Sequence, residues 1–419
     1  MPGLHLRVSS PCSLAVSVLL VLGCRGVGDG EDEVAAETES TGDELGDSGD
    51  AQTESGSDSD TGSESDTDTG ATDILDQLQA IEGMTVEELP ALDDGTRVFE
   101  LYYLQPNDHE HPEGPWFEQH LFLQHRDVAA PMVLFTTGYS LYFGPSYTSE
   151  PATLLQANQL STEQRFFGTS RPDPLDWSLL TIAQAAADHH RLVQALAPIY
   201  GGSWLSTGAS KGGMTSVYHR RFYPDDVDAT VAYVAPHSFS AWDERYPIYL
   251  DEVGEPDCAQ AIRDFQIEAL ARRQTLVPLL IETAMNEGYT YERYGGDYQR
   301  VFEAGVVEVR WAFWQYAGKP HCPFVPTVAA TDQEIHAFIN KHQGWDSYSD
   351  NVLAFYEPYY YQAAHQLGAP AITEPHLEGL LDFPVNGGWD PLLPAGTTFE
   401  HDPAAMLDIS TWLAGEGER

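Results

Sequence analysis

Residues 203–213 read SWLSTGASKGG, and the serine inside GASKG decides the fold. Ser210 is either a nucleophile or a plain turn residue. Gly208-Ala209-Ser210-Lys211-Gly212 satisfies G-x-S-x-G, a pattern that two glycines and one serine meet readily in a chain with 36 glycines. Its surroundings make it stronger. SWLST reads as a short strand running in, and the stretch from about 212 to 222 as a helix running out, which is the setting of a nucleophile elbow. Such a turn leaves no room for side chains at the flanking positions. It holds the serine in strained geometry with its oxygen above the sheet. The other reading is a serine in a strand-to-helix turn with packing glycines.

Working outward, VDATVAYVAPHS (227–238) reads as a further buried strand, and PMVLFTTGYS (131–140) as a buried strand ending in a glycine loop. Between them, residues 179–200 have helical spacing, with Ile182, Ala186, His189, Val193, Leu196 and Ala197 on one face. RVFELYYLQ (97–105) and FEQHLFLQH (117–125) alternate like half-buried antiparallel strands. Strand, loop, helix, strand, turn, helix, strand is the grammar of a parallel α/β sheet. From about Ala241 to His376 that grammar stops. Four stretches beginning at Cys258, Val301, Asp332 and Asn351 have helical spacing in a block rich in Trp and Tyr. This block reads as a helical cap insertion. The organisation expected is a core over 73–240, a cap and irregular edge over 241–402, and the start of a returning core over 403–419.

A serine hydroxyl needs a base for its proton and donors for the oxyanion that forms. The backbone N–H of Lys211 is the first donor expected. The second is an N–H of Gly138 or Tyr139 in the FTTGYS loop. No H-E-x-x-H motif or cysteine quartet points to a metal, and GASKGG does not match a P-loop. No cofactor is expected.

STEQRFFGTSRP, then QAAADHH, then GGSWLSTGASKGGMTSVYHRRFYPDDVDATVAYVAP resemble, in the same order, the prolyl carboxypeptidase and dipeptidyl peptidase clan of serine peptidases. The lysine after the serine and the phrase YYYQAAHQLG are more similar to a bacterial branch, the secreted prolyl tri/tetrapeptidyl aminopeptidases of the Streptomyces type. The resemblance covers most of 95–415. It implies an α/β-hydrolase-like parallel sheet with a helical cap, and release of short peptides from free N-termini, often after proline. It also implies a Ser-Asp-His triad with Ser210 as nucleophile. The acid and the histidine are harder to place. GGWDPL contains Asp390 and His401 follows, but PLLPAGTTFE between them cannot hold the helix and strand that should separate the two loops. Asp390 is therefore expected in an irregular loop at the cap edge. His237, at the end of the strand after the elbow, is the other candidate base. His189, His190 and His219 are expected to pack or to face solvent. Asp402 and Pro403 read as the start of a helix with Met406, Ile409 and Leu413 on one face. In the family such a helix precedes the strand that delivers the aspartate. The expectation is a chain that stops before its last strands, with an open and aggregation-prone sheet edge, or a degenerate protein.

Composition adds a compartment. The formal net charge is −45. Residues 29–73 hold 17 Asp and Glu with no Lys or Arg, and residues 74–419 still carry −30. So acidic a surface repels phosphate backbones, which argues against nucleic acid as a partner. Arg7 and the apolar run LAVSVLLVLG (14–23) form an export signal too short to span a bilayer. VLGC then reads as a lipoprotein signal over 1–23, with lipid attachment at Cys24; an ordinary signal peptide is the alternative. Residues 24–72 read as an acidic disordered tether, so membrane contact is expected only through the lipid. Cys258 and Cys322 are left for the globular part, as a disulfide or as two buried thiols. The function expected is an exported serine peptidase acting on peptides with free N-termini. An esterase of the same fold, or an inactive protein used for binding, are the alternatives.

Overall fold

A computed structural model describes residues 73–384 and 388–416. The expected leader, Cys24 and the acidic tether lie outside the described residues. The amino-terminal helix α1 (Ile74–Gln79) is capped by Asp73, whose carboxylate accepts the Leu75 N–H. Strands β1 (Met84–Leu89), β2 (Arg97–Pro106) and β3 (Trp116–His125) follow as an antiparallel meander. Val98, Phe99, Leu101 and Tyr103 are buried along β2, which accounts for the alternation in its sequence. Next come β4 (Met132–Thr136), α2 (Glu150–Leu155), β5 (Asn158–Thr162), α3 (Ile182–Leu196), β6 (Trp204–Ala209), α4 (Lys211–Phe222) and β7 (Ala229–Tyr233).

The seven strands form one sheet in the order β1-β2-β3-β5-β4-β6-β7. The pairs β5/β4, β4/β6 and β6/β7 are parallel, and β3/β5 is antiparallel. From β4 the chain steps to one side to make β5, then crosses back over β4 to make β6. That reversal opens a crevice at the carboxyl ends of β4 and β6, where parallel α/β sheets place their ligands. Phe99, Leu101, Leu121, Leu123, Met132, Leu134 and Leu160 of the strands pack with Leu192, Val193 and Leu196 of α3 into the sheet core. Helix α3 is shorter than its apolar pattern. Thr181 caps it by accepting the Gln184 N–H, and Pro198, which has no N–H to donate, closes it.

β7 departs from expectation. Read as a buried strand, it is exposed along most of its length, with Val231 and Tyr233 both 37 % exposed. Its apolar residues resemble those of β4, but among the described residues it pairs only with β6 and forms the sheet edge.

Beyond β7 the chain builds the cap from β8 (Trp242–Asp243), α5 (Arg245–Glu252), α6 (Pro256–Ala271), α7 (Arg273–Glu287), α8 (Tyr298–Tyr316), α9 (Asp332–His342), α10 (Asp350–Gln362) and β9 (Ala369–Pro370). Helix α7, interrupted in sequence by Pro278, is absent from the sequence reading. A disulfide joins Cys258 on α6 to Cys322, with Cα atoms 5.4 Å apart. α11 (Ala404–Thr411) begins one residue later than anticipated, with Pro403 at the cap position and Asp402 accepting the Ala404 N–H. Met406 and Ile409 are buried, but Leu413 is exposed, because the chain widens into a π turn over Trp412–Glu416. The cap core runs without a break into Tyr139, Phe166, Phe167, Met214 and Tyr218 of the sheet domain, so the cap is seated directly on the loops at the β4/β6 crevice. Among the described residues no helix is long and apolar enough to cross a membrane.

Candidate active site

Ser210 stands between β6 and α4 with φ 55° and ψ −125°, a conformation that non-glycine residues rarely adopt and that costs about 1–3 kcal/mol. Its surroundings enforce it. The Ser210 N–H donates to Tyr233 O of β7 (3.0 Å), and Ser210 O accepts the Met214 N–H of α4 (2.9 Å). Three glycines of the motif are dictated by approach of other backbone. A Cβ at Gly208 would lie 2.5 Å from Thr136 O, at Gly212 2.2 Å from the same oxygen, and at Gly213 2.8 Å from Tyr233 O. The turn is thus wedged between the ends of β4 and β7. Thr136 ties it further: its hydroxyl donates to Gly212 O (2.7 Å) and lies 2.7 Å from Ser216 Oγ.

The loop after β4 forms the other wall. Gly138 has φ 73°, and a Cβ there would meet Gly212 N at 2.6 Å. Tyr139, 1 % exposed, points its ring back over the turn, and its hydroxyl shares a hydrogen bond with the Ser210 side chain. Burial raises the Tyr139 phenol well above its ordinary range, with smaller contributions from Tyr359 and Tyr356, so it stays a proton donor. Its backbone N–H, expected at the oxyanion, instead faces Thr137 Oγ1 (3.2 Å). Lys211 opens α4, so its N–H has no intrahelical acceptor. The Lys211 ammonium group is buried, donates to Gly138 O (2.8 Å), and lies 5.6 Å and 5.5 Å from the Tyr139 and Phe167 ring centroids.

STEQRFFGTSRP and QAAADHH prove to be the frame for this loop. Arg165 is fully buried and makes a forked bond to Asp188 on α3 (2.6 and 2.7 Å), while also donating to the carbonyls of Pro106, Asn107 and Leu179. Burial alone would raise the Asp188 carboxyl, but the Arg165 charge and hydrogen bonds, with His109 at 2.7 Å, bring it below the usual carboxylate range. The Gln164 N–H donates to Tyr139 O (2.8 Å), and Thr137 Oγ1 donates to Thr162 O (2.8 Å). Glu163 takes the N–H groups of Thr169 and Ser170, closing the segment on itself. Sequence reasoning recognised the motif without its role. The signal available was an arginine and an aspartate in segments otherwise reading as buried.

The remaining candidates lie elsewhere. His237 Nε2 is 2.5 Å from Ser410 Oγ on α11. His401 Nδ1 is 3.0 Å from Ala364 O. Asp390 is exposed in the turn that follows Trp389. None of the three is hydrogen-bonded to Ser210 among the described residues. His189 is buried against Thr162 Oγ1 (3.0 Å), and burial, with His219 nearby, lowers it to about 3. His190 and His219 both face Asp226. Of the cap tyrosines, Tyr356 and Tyr359 have ring centroids 5.7 and 5.9 Å from that of Tyr139, while Tyr360 is wholly buried. The cap therefore covers Ser210, which is 4 % exposed.

Comparison with known proteins gives the family. The model of the PS-10 peptidase S37 family matches residues 67–418. A prolyl tri/tetrapeptidyl aminopeptidase of Streptomyces mobaraensis is 43 % identical over 343 residues, covering 81 % of this chain and 71 % of that protein. Among solved structures, acetyl xylan esterase 1 from Thermoanaerobacterium sp. matches at TM-score 0.28 and 14 % identity, over 43 % of this chain and 60 % of its own. The tannin acyl hydrolase of Aspergillus niger matches at TM-score 0.29 and 15 % identity, over 46 % and 42 %.

Proposed function

Since the chain belongs to the peptidase S37 family of serine-type peptidases, we propose that Ser210 attacks the peptide carbonyl of a substrate held under the cap, releasing a short amino-terminal peptide. The observation that carries this reading is the Ser210 turn itself, strained and enforced by contacts from both β4 and β7. In the first step Ser210 Oγ bonds to the carbonyl carbon and its proton passes to a base. The C–N bond then breaks, the leaving amine takes up a proton, and the peptide remains as an ester on Ser210. Water attacks that ester in the second step and frees the acid.

The oxyanion of each tetrahedral intermediate is stabilised by the Lys211 N–H and by the Tyr139 hydroxyl. The phenol takes the place expected of the Tyr139 N–H, which is turned to Thr137 while the hydroxyl already reaches Ser210; the Gly138 N–H stays the backbone candidate in this loop. Gly138 also serves by its lack of a side chain. Removing one such donor costs about 100- to 1,000-fold in turnover. The base is assigned to none of His237, His401 and Asp390.

Substrate selection follows the relative's name: tripeptides and tetrapeptides with a free amino terminus, cut after proline. The buried aromatic cap supports a short occupant, since Ser210 beneath it is 4 % exposed. Export through a leader, with Cys24 as lipid site, completes this reading.

The test uses the full chain. A fluorophosphonate probe should label wild-type protein and leave Ser210→Ala unmarked. Tripeptidyl-prolyl p-nitroanilides should be cut when the amino terminus is free and spared when it is acetylated. Cleavage of p-nitrophenyl esters without any p-nitroanilide would replace the peptidase by an esterase. Absence of labelling and of both cleavages would refute the nucleophile assignment.

A further inference from the structure

Lys211 is used above only through its backbone, yet its side chain is the stranger feature. A lysine at the first position of a helix ordinarily reaches solvent. This one is 2 % exposed, and among the described residues it forms no salt bridge. Its one direct hydrogen bond there is to Gly138 O at 2.8 Å. An ammonium group has three protons, and burying it with one acceptor is costly.

The acceptors that are missing from that count lie next to it. Lys211 lines a small cavity together with Gln164, Thr215, Tyr218 and Gln362, with about 10 Å³ of space for a water-sized sphere. That is the lower limit for one water. Gln164 Oε1 and the Tyr218 hydroxyl are buried polar atoms without a hydrogen-bond partner among the described residues. Both belong to this lining. Gln164 is also the residue whose backbone N–H holds Tyr139 O. One cavity therefore gathers the residue after the nucleophile, a residue that fixes the oxyanion loop and two unsatisfied polar groups.

We propose that Lys211 is a positioning residue. Bonded to Gly138 O, and through one buried water to Gln164 Oε1 and the Tyr218 hydroxyl, it clamps the Thr137–Tyr139 loop against the Ser210 turn. The clamp acts across the β4/β6 crevice: one end is the helix that starts at the nucleophile, and the other is the loop that brings in the Tyr139 hydroxyl. This deepens the nucleophile reading and rests on it for its catalytic consequence, though not for its structural one.

Hydrogen exchange followed by mass spectrometry tests the structural part without any turnover. In Lys211→Met, amides of the peptide spanning 137–141 should exchange about tenfold faster, with the other sheet peptides unchanged. Lys211→Gln, which keeps a donor for Gly138 O, should stay close to wild type. Tyr218→Phe, which removes one arm of the water site and preserves packing, should speed exchange in the same peptide by about threefold, and it serves if Lys211→Met does not fold. Fluorophosphonate labelling of Ser210 should slow in parallel with loop exchange. A loop that exchanges at the wild-type rate in both Lys211→Met and Tyr218→Phe overturns the clamp. Loosening throughout the sheet instead of at 137–141 overturns it too, since that is what a merely packed lysine would give. Faster loop exchange in a protein whose wild type is never labelled would keep the clamp and remove the nucleophile reading. Equal labelling with unchanged exchange would do the reverse.

Discussion

Thr207 of β6 has Phe135 of β4 on one side and Val231 of β7 on the other, in register. Phe135 is 5 % exposed and Val231 37 %. The two flanking strands read alike in sequence, as short apolar runs ending in a turn. β4 has a neighbour on each side and α4 over it, and its final residues reach into the motif through Thr136 and Gly138. β7 meets the nucleophile turn through its ladder pairs with Gly208 and Ala209 and through the Tyr233 carbonyl, and its outer side carries no strand among the described residues. The turn is therefore wedged between a strand paired on both sides, β4, and a strand paired on one side, β7.

The sharpest way to break that contrast is through the glycines. Gly212 faces Thr136 O of β4 at 2.2 Å from an added Cβ, and Gly213 faces Tyr233 O of β7 at 2.8 Å. Gly212→Ala must displace a central strand and should cost about 4 kcal/mol or more, leaving little folded protein. Gly213→Ala need only move an edge strand and should cost about 1–2 kcal/mol. Thermal or urea melts of the two variants check this, and equal costs would show β7 to be as fixed as β4.

Next in size is the frame behind the β4 loop. Arg165→Met leaves Asp188 as a buried charge with only His109 beside it, a loss of about 3–5 kcal/mol. On the β7 side, the exposed pair Arg221–Asp408 links α4 to α11 at 2.9 Å. Arg221→Met should change stability by less than about 1 kcal/mol. Urea melts with matched slopes would separate these, and a small effect of Arg165→Met would mean that the motif does not anchor the loop.

These pairs also show what was legible in the sequence. The sheet, the elbow and most of the cap helices follow from periodicity, because burial imposes period 2 or 3.6 on any chain. Glycine spacing gave away Ser210 because backbone contact excludes every other side chain there. Exposure of β7 was not legible in its own residues, since apolar content records what a strand could bury and not whether a neighbour is present; an open edge was expected only from the resemblance. The Tyr139 hydroxyl was also missed: a motif that names a loop does not say whether the backbone or the side chain of its residue faces the site. Arg165 and Asp188 lie 23 positions apart, and only the fold brings their charges together.

A smaller effect comes from pH. Burial lowers the Lys211 ammonium from 10.5 to about 7. A base whose folded pKa lies below its unfolded one binds fewer protons when folded, so stability rises with pH between the two values. Lys211 is faced by Tyr139 and Phe167 from the β4 and β5 loops, by Tyr218 on its own helix, and by Gln164 and Gln362. Of these only the tyrosines titrate. Both are raised by burial, so they keep their protons and oppose the trend only above about pH 10. Glu308, raised to about 8, and Glu374, raised to about 7, act in the opposite sense below about pH 8. Between pH 8.5 and 10, wild type should gain on the order of 1–2 kcal/mol relative to Lys211→Met. A constant difference across that window would show that Lys211 keeps its proton in the folded protein as it does in the unfolded one.

The smallest change in stability belongs to the open edge. Val231→Lys adds a charge to an exposed strand whose outer hydrogen-bonding groups have no partner strand among the described residues. Placed at an edge, lysine blocks pairing with a second sheet at little cost to the fold. Melting should shift by less than about 0.5 kcal/mol, while light scattering at fixed concentration should show slower aggregation. The same substitution at Val133, which is wholly buried in β4, should abolish folding, because an unpaired ammonium has no route to water there. The informative outcome is a large loss of stability in Val231→Lys. β7 would then be covered in solution by another surface, and the strand paired on one side would be held on both.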